Sequence, residues 1–186
     1  MGELDFLDEF SGPKPPRRGF AITVSPEAMA LIGHLTLQWG ALIEGIQFLI
    51  KFKSHFPEVP AEIREQKVRH EATQQIKLLR KIGAYIYANK RPTAVSEFNS
   101  ILDEILILKE SRDALVHGMF ALTDNTNPNV VVVIYKHGKK SFHLMDLRQI
   151  GDRIGIANVS LKSFDQWVDY SSTLASFKKL AQQEHQ

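Results

Sequence analysis

The sequence predicts a mainly α protein: an antiparallel helical bundle with a small β-meander between its third helix and its C-terminal helices. Three observations predict this class. Long segments repeat apolar residues at helical spacing. The connections between the first helices are short, which makes neighbouring helices antiparallel. β-Branched and aromatic residues gather in one stretch, 119–145, interrupted by turn clusters. A length of 186 residues with 44% hydrophobic and 24% charged residues suits one globular domain with a proper apolar core.

Residues 1–24 read as a flexible N-terminal arm, because Gly12-Pro13-Lys14-Pro15-Pro16-Arg17-Arg18-Gly19 forbids regular structure. Residues 25–186 read as a single domain. Its first helix opens at Ser25-Pro26-Glu27, where Ser25 caps exposed amides, Pro26 suits the first helical position and Glu27 complements the dipole. Leu31, Leu35, Trp39, Leu42, Ile46, Leu49 and Ile50 carry the helix to about Lys53, and Pro57 and Pro60 end it. Gly40 and Gly45 in this helix point to close helix approach.

A second helix is expected from Pro60 to about Ile86, with a stripe of Ile63, Val68, Ala72, Ile76, Leu79 and Ile82. A third runs from Thr93 through Phe98, Leu102, Ile105 and Leu108 to His117, and Gly118 stops it. Short strands follow at Met119–Leu122, Val130–Tyr135 and Ser141–Met145, with Lys136–Lys140 as a hairpin loop. A short helix over Asp146–Ile154 opens on an Asp cap, Gly155–Ser160 breaks it, and a last helix runs from Leu161 to Gln183 with Phe164, Trp167 and Val168 on its apolar face.

Composition removes several kinds of chemistry. The chain has no cysteine, hence no disulfide framework, thiolate metal site or cysteine nucleophile. Its seven histidines form neither an HExxH pattern nor an i, i+4 pair, so no metal and no cofactor are expected. The acidic start is unlike a signal peptide, the opening MGELDF and the cysteine-free C-terminus fit no lipidation signal, and no apolar run approaches membrane-spanning length. A cytoplasmic location without membrane attachment is the expectation.

Net charge is only +2, but residues 51–92 hold ten Lys and Arg against four Asp and Glu. Lys77, Arg80 and Lys81 lie off the apolar stripe of the second helix. They read either as a solvated face or as an electrostatic footprint for RNA phosphates.

The stretch Glu110-Ser111-Arg112-Asp113-Ala114-Leu115-Val116-His117-Gly118 breaks the apolar pattern at the end of the third helix. Asp113 and His117 stand at i, i+4 and share a face, so Asp113 is placed to orient the imidazole and raise its pKa. Arg112 lies roughly 140° around the helix from His117 and must reach around, or act with a second subunit. A guanidinium clamps phosphate with paired donors and an imidazole moves protons near neutral pH. The same residues also read as a helix-end ion network. Glu44, in a very apolar helix, either lies on its wet edge or meets a cation such as Arg112, as a supporting residue.

Arg112-x4-His117-Gly118 near a helix end, followed by a β-meander and by Met145-Asp146-Leu147 opening the final helices, resembles the HEPN superfamily (higher eukaryotes and prokaryotes nucleotide-binding domain). The resemblance spans residues 25–183 by architecture. It implies a metal-independent endoribonuclease of toxin or defence type, whose homodimer joins two copies of the motif into one site. Arg112 would bind the scissile phosphate, His117 would serve as general acid or base, Asp113 would hold the imidazole, and Glu110 would assist. The products would be a 2′,3′-cyclic phosphate and a 5′-hydroxyl. An antitoxin or regulatory protein is an expected partner. A non-catalytic HEPN-like module that binds a protein or nucleotide is the alternative, and an unrelated helical regulatory domain a third. Ile101, Ile105, Ile107 and Leu108 exceed one stripe, so the third helix is expected to offer a face to the second copy.

Overall fold

A computed structural model of the chain describes residues 24–120, 127, 129–136 and 138–183, with side chains as far as Asp169. Residues 1–23 of the N-terminal arm, Ala121–Leu122 of the first expected strand and His137 lie outside them, as do the side chains of the last helix beyond Asp169. Val24, the arm's last residue, packs against the core.

Helix α1 spans Pro26–Lys53. The Ser25 hydroxyl accepts a hydrogen bond from the Ala28 amide at 3.2 Å, and Lys51 and Lys53 meet the negative end of the dipole. The expected second helix is two: α2, Ala61–Arg64, and α3, Ala72–Tyr87. Between them residues 66–69 have no regular secondary structure. Val68, assigned from sequence to the stripe, follows Ile63 by five residues and therefore off the helical row; it is exposed. The link is held instead by buried Gln75, whose side-chain amide donates to the Arg69 carbonyl at 2.8 Å.

Helix α4 spans Ala94–His117. The Gly118 amide donates to the Ala114 carbonyl at 2.9 Å, but the backbone there is extended (φ −73°) rather than left-handed. What demands glycine is crowding, because a Cβ would run into the Ala114 carbonyl and touch the Ile134 carbonyl. Strands β1 (Met119–Phe120), β2 (Val130–Tyr135) and β3 (Gly138–His143) form an antiparallel meander in the order β1-β2-β3. Tyr135 pairs with Gly138, so the expected five-residue loop shrinks to two residues. Lys136, not Gly138, takes the left-handed conformation (φ 55°). Strand β3 begins three residues earlier than expected and ends at His143, since Leu144 and Met145 are already helical.

Helix α5 is continuous over Leu144–Gln183, against the expected break at Gly155–Ser160. Asp146 is not its N-cap. It sits in the first turn and reaches back to accept from the His143 amide at 2.7 Å, the return half of a capping box. The intrinsic penalty of a helical glycine is about 1 kcal/mol. Burial of Ile154, Ala157 and Leu161 offsets it here, and Gly151 and Gly155 face His34 and Gln38 of α1 with room for a Cβ at ordinary contact distance.

Helix α1 packs on α3 and α5, and α4 packs on the same two. The core gathers Leu35, Leu42 and Ile46 of α1 with Ile76, Leu79 and Ile82 of α3. Leu102, Ile105 and Leu108 of α4 and Ile154, Leu161 and Phe164 of α5 complete it. Val131, Val133 and Phe142 seal its sheet end. The apolar excess of α4 is therefore spent inside the monomer: Ile105 and Leu108 are buried, Ile101 is half-buried, and only Ile107 is exposed. Lys53 is fully buried at the junction of α1, α3 and α5. It pairs with Asp165, which also accepts from the Tyr87 hydroxyl at 2.5 Å. Burial, and then this bond to a carboxylate, push the Tyr87 pKa far upward. Among the described residues no helix is long and apolar enough to cross a membrane.

Candidate functional site

The last turns of α4 face the middle of α1 across an open cleft of about 580 Å³. Helix α1 contributes Trp39, Gly40, Ile43, Glu44 and Gln47; α4 contributes Lys109, Arg112, Asp113 and His117; the link before α3 contributes His70. A groove of similar size between α1 and α5, about 610 Å³, is lined by His34, Gln38, Asp152 and mostly apolar or small residues. Of the two, the α4 cleft alone gathers cations.

Arg112 does reach around the helix. Its Nη1 lies 3.2 Å from His117 Nε2 within one chain. A guanidinium can only donate, so this contact makes Nε2 the acceptor and leaves the ring proton on Nδ1. The expected Asp113–His117 bond is absent. Asp113 instead accepts from Lys109 Nζ at 2.6 Å and from Arg112 Nη1 at 3.1 Å, because lysine at i−4 is the better partner for a carboxylate than an exposed imidazole. The carboxylate therefore positions two cations and not the imidazole. Partial burial works to raise the Asp113 pKa. Hydrogen bonds from Lys109 and Arg112, and their charges, outweigh it and hold the carboxyl below its ordinary value.

A pH dependence follows. A depressed folded-state pKa adds stability that is present above the unfolded pKa and lost as pH falls through the folded one. Urea titrations of wild type and Asp113→Asn should therefore differ at neutral pH and converge in acid, below about pH 4. Curves that stay parallel across that range would show the carboxylate is not held by its two cations.

Arg112 is mostly buried, with its side chain 19% exposed, and its guanidinium carbon lies 6.0 Å from the centre of the Trp39 ring. Its Nε is buried without a hydrogen-bond partner among the described residues. Glu44 lines the cleft but is not bonded to Arg112; Trp39 holds that side of the guanidinium.

The remaining expected residues lie elsewhere. Glu110 is exposed and pairs with Lys140 of β3 at 3.3 Å, outside the cleft lining, so it is not placed to assist. Arg80 pairs with Asp103 of α4, leaving Lys77 and Lys81 as exposed cations of α3 without an ion pair among the described residues. None of the three lines the cleft. Sequence reasoning missed Lys109 and His70. Lysine four residues before Asp113 was a readable signal; His70 had none, because it reaches the site only through the break between α2 and α3. Among the described residues no group of three or more His, Asp or Glu could hold a metal ion.

Fold and site together define a helical-bundle protein with a meander at one end and an Arg–His cleft between its first and fourth helices. Comparison with protein-family models, curated proteins and solved structures finds no match to this chain.

Proposed function

We propose that the protein is a HEPN-type, metal-independent endoribonuclease acting as a homodimer. The observation that carries this reading is the 3.2 Å approach of Arg112 Nη1 to His117 Nε2 in a cleft that also holds Lys109. In the reaction, Arg112 and Lys109 clamp the non-bridging oxygens of the scissile phosphate. As Arg112 turns to the phosphate it frees His117 Nε2, which accepts the proton of the neighbouring 2′-hydroxyl. The 2′ oxygen attacks phosphorus, the bond to the 5′ oxygen breaks, and that oxygen takes up a proton from an imidazolium. A 2′,3′-cyclic phosphate and a 5′-hydroxyl result. Asp113 takes no proton; it keeps the two cations in place.

The test is RNA cleavage in EDTA with analysis of the ends. Cyclic phosphate ends formed without metal support the reading. Cleavage that needs Mg²⁺ overturns it, and a wild type that binds RNA without cutting it leaves the binding-module alternative. Lys77 and Lys81 of α3 are further exposed cations, outside the cleft. Changing Lys77, Arg80 and Lys81 to Gln should weaken RNA binding on all sequences alike and flatten its salt dependence. Arg80 should account for the smallest share, since Asp103 already neutralises it. Unchanged affinity in the triple variant would make this face simply solvated.

A further inference from the structure

The α1 wall of the Arg112–His117 cleft is one face of a helix. Gly40, Ile43, Glu44 and Gln47 stand at i, i+3, i+4 and i+7, and all four line the cleft. A Cβ added at Gly40 would meet nothing within 4 Å, so the close approach expected at Gly40 is not made; Gly45 makes it instead, against Asn158 and Lys162. Gly40 is therefore bare backbone at an open spot, with half-buried Ile43 beside it. Glu44 and Gln47 are exposed, and neither has a hydrogen bond or ion pair among the described residues. The other acid of the cleft, Asp113, is neutralised by Lys109 and Arg112. An unpaired carboxylate beside a phosphate clamp repels the phosphate. It is useful there only to a ligand that also brings hydrogen-bond donors.

We propose that this wall seats the guanine base of the nucleotide whose 3′ phosphate lies on Arg112 and Lys109. The proposal rests on the phosphate clamp of the ribonuclease reading. A carboxylate only accepts hydrogen bonds. Guanine alone among the four bases presents two adjacent N–H donors, on N1 and N2, which match the two oxygens of Glu44. Its O6, next along the same edge, accepts from the side-chain amide of Gln47, one turn further along α1. Adenine and cytosine set a bare ring nitrogen beside their amino group, and uracil sets its single N–H between two carbonyls. Each of these three therefore turns a lone pair toward a carboxylate oxygen. The open backbone at Gly40 leaves room for the ring, and Ile43 gives it an apolar contact. Trp39 is not the stacking partner, because it is only 6% exposed and lies against Arg112. A base is read on this edge only when it is unpaired, so the substrate class is single-stranded RNA. Within one nucleoside the 2′-hydroxyl lies between the base and the 3′ phosphate. Seating that base therefore also orients the nucleophile toward His117.

Equilibrium dialysis of the full chain with the four nucleoside 3′-monophosphates tests the proposal. The guanosine nucleotide should bind about tenfold or more tighter than the other three, the margin of a bidentate base contact. Glu44→Gln should then move the bases in opposite directions. Affinity for the guanosine nucleotide should fall about tenfold, because an amide keeps one acceptor of the two. Affinity for the other three should rise, because a negative charge leaves the surroundings of the phosphate. A structural or purely electrostatic role for Glu44 would shift all four the same way. The open space at Gly40 admits Gly40→Leu, which should keep its circular dichroism spectrum and weaken binding of the guanosine nucleotide. Four nucleotides bound alike, or none bound, overturn the proposal, as does a Glu44→Gln chain that shifts all four together. So does a folded Gly40→Leu variant that binds like wild type. Metal-free RNA cleavage is scored separately on the wild type. Cleavage without guanine preference keeps the ribonuclease and removes the guanine seat; guanine preference without cleavage does the reverse.

Discussion

Alanine at Arg112 is expected to lower RNA cleavage about 10²–10³-fold, the usual loss when a preorganised charge on the transition state is removed. Alanine at His117 is expected to lower it about 10²–10⁴-fold through loss of proton transfer. The two side chains serve one transition state, and Arg112 also positions the ring that it touches at 3.2 Å. The double variant should therefore be little worse than the poorer single one. Lys109→Ala should fall between wild type and Arg112→Ala, because it removes one of the two cations that Asp113 holds. Arg112→Lys should not rescue, since an ammonium cannot present paired planar donors. Single-turnover rates on a short unpaired RNA measure all of these. Cleavage that survives both alanine variants would remove the cleft from the chemistry.

The largest effect on stability is expected where α3 crosses α4. A Cβ at Gly83 would overlap the edge of the Phe98 ring. That ring cannot yield, because it is buried between Tyr87 and Phe164 at centroid distances of 4.9 and 5.2 Å. Gly→Ala inside a helix ordinarily gains about 0.5–1 kcal/mol; here overpacking of about 1–3 kcal/mol reverses the sign. Phe98→Ala should cost more, about 3–5 kcal/mol, as a large aromatic leaves a cavity. Combining the two should cost less than the sum, since the new methyl enters the space the ring vacated. Urea denaturation of the three variants measures this, and strict additivity would mean that Gly83 and Phe98 do not share one space.

The cleft was half legible in the sequence. Arg112, Asp113 and His117 lie within six residues on one helix, so their registers follow from helical geometry. Their partners do not, because each side chain had several within reach. Asp113 had Lys109, Arg112 and His117 available, and charge-assisted bonds to the two cations prevailed. Trp39, Gln47 and His70 come from other segments, and only the packing of α1 on α4 and the break before α3 bring them to the same space.

What the sequence by itself determined is what local interactions decide. The start of α1 follows from Ser25 and Pro26. The end of α4 follows from Gly118, though through crowding rather than a left-handed backbone. The helical class follows from apolar spacing, and the meander from its β-branched run. The tertiary structure decided where local preference was weak or opposed. Gly151 and Gly155 argue for a break in α5, yet burial of the residues around them against α1 keeps the helix continuous. Residues 65–71 can extend a helix, yet they carry a single apolar residue, off the stripe, and the buried side chain of Gln75 holds the link open. Local preferences here amount to about 1 kcal/mol or less per residue, and burial of one large apolar side chain, about 1.5–3 kcal/mol, overrides them wherever packing and propensity disagree.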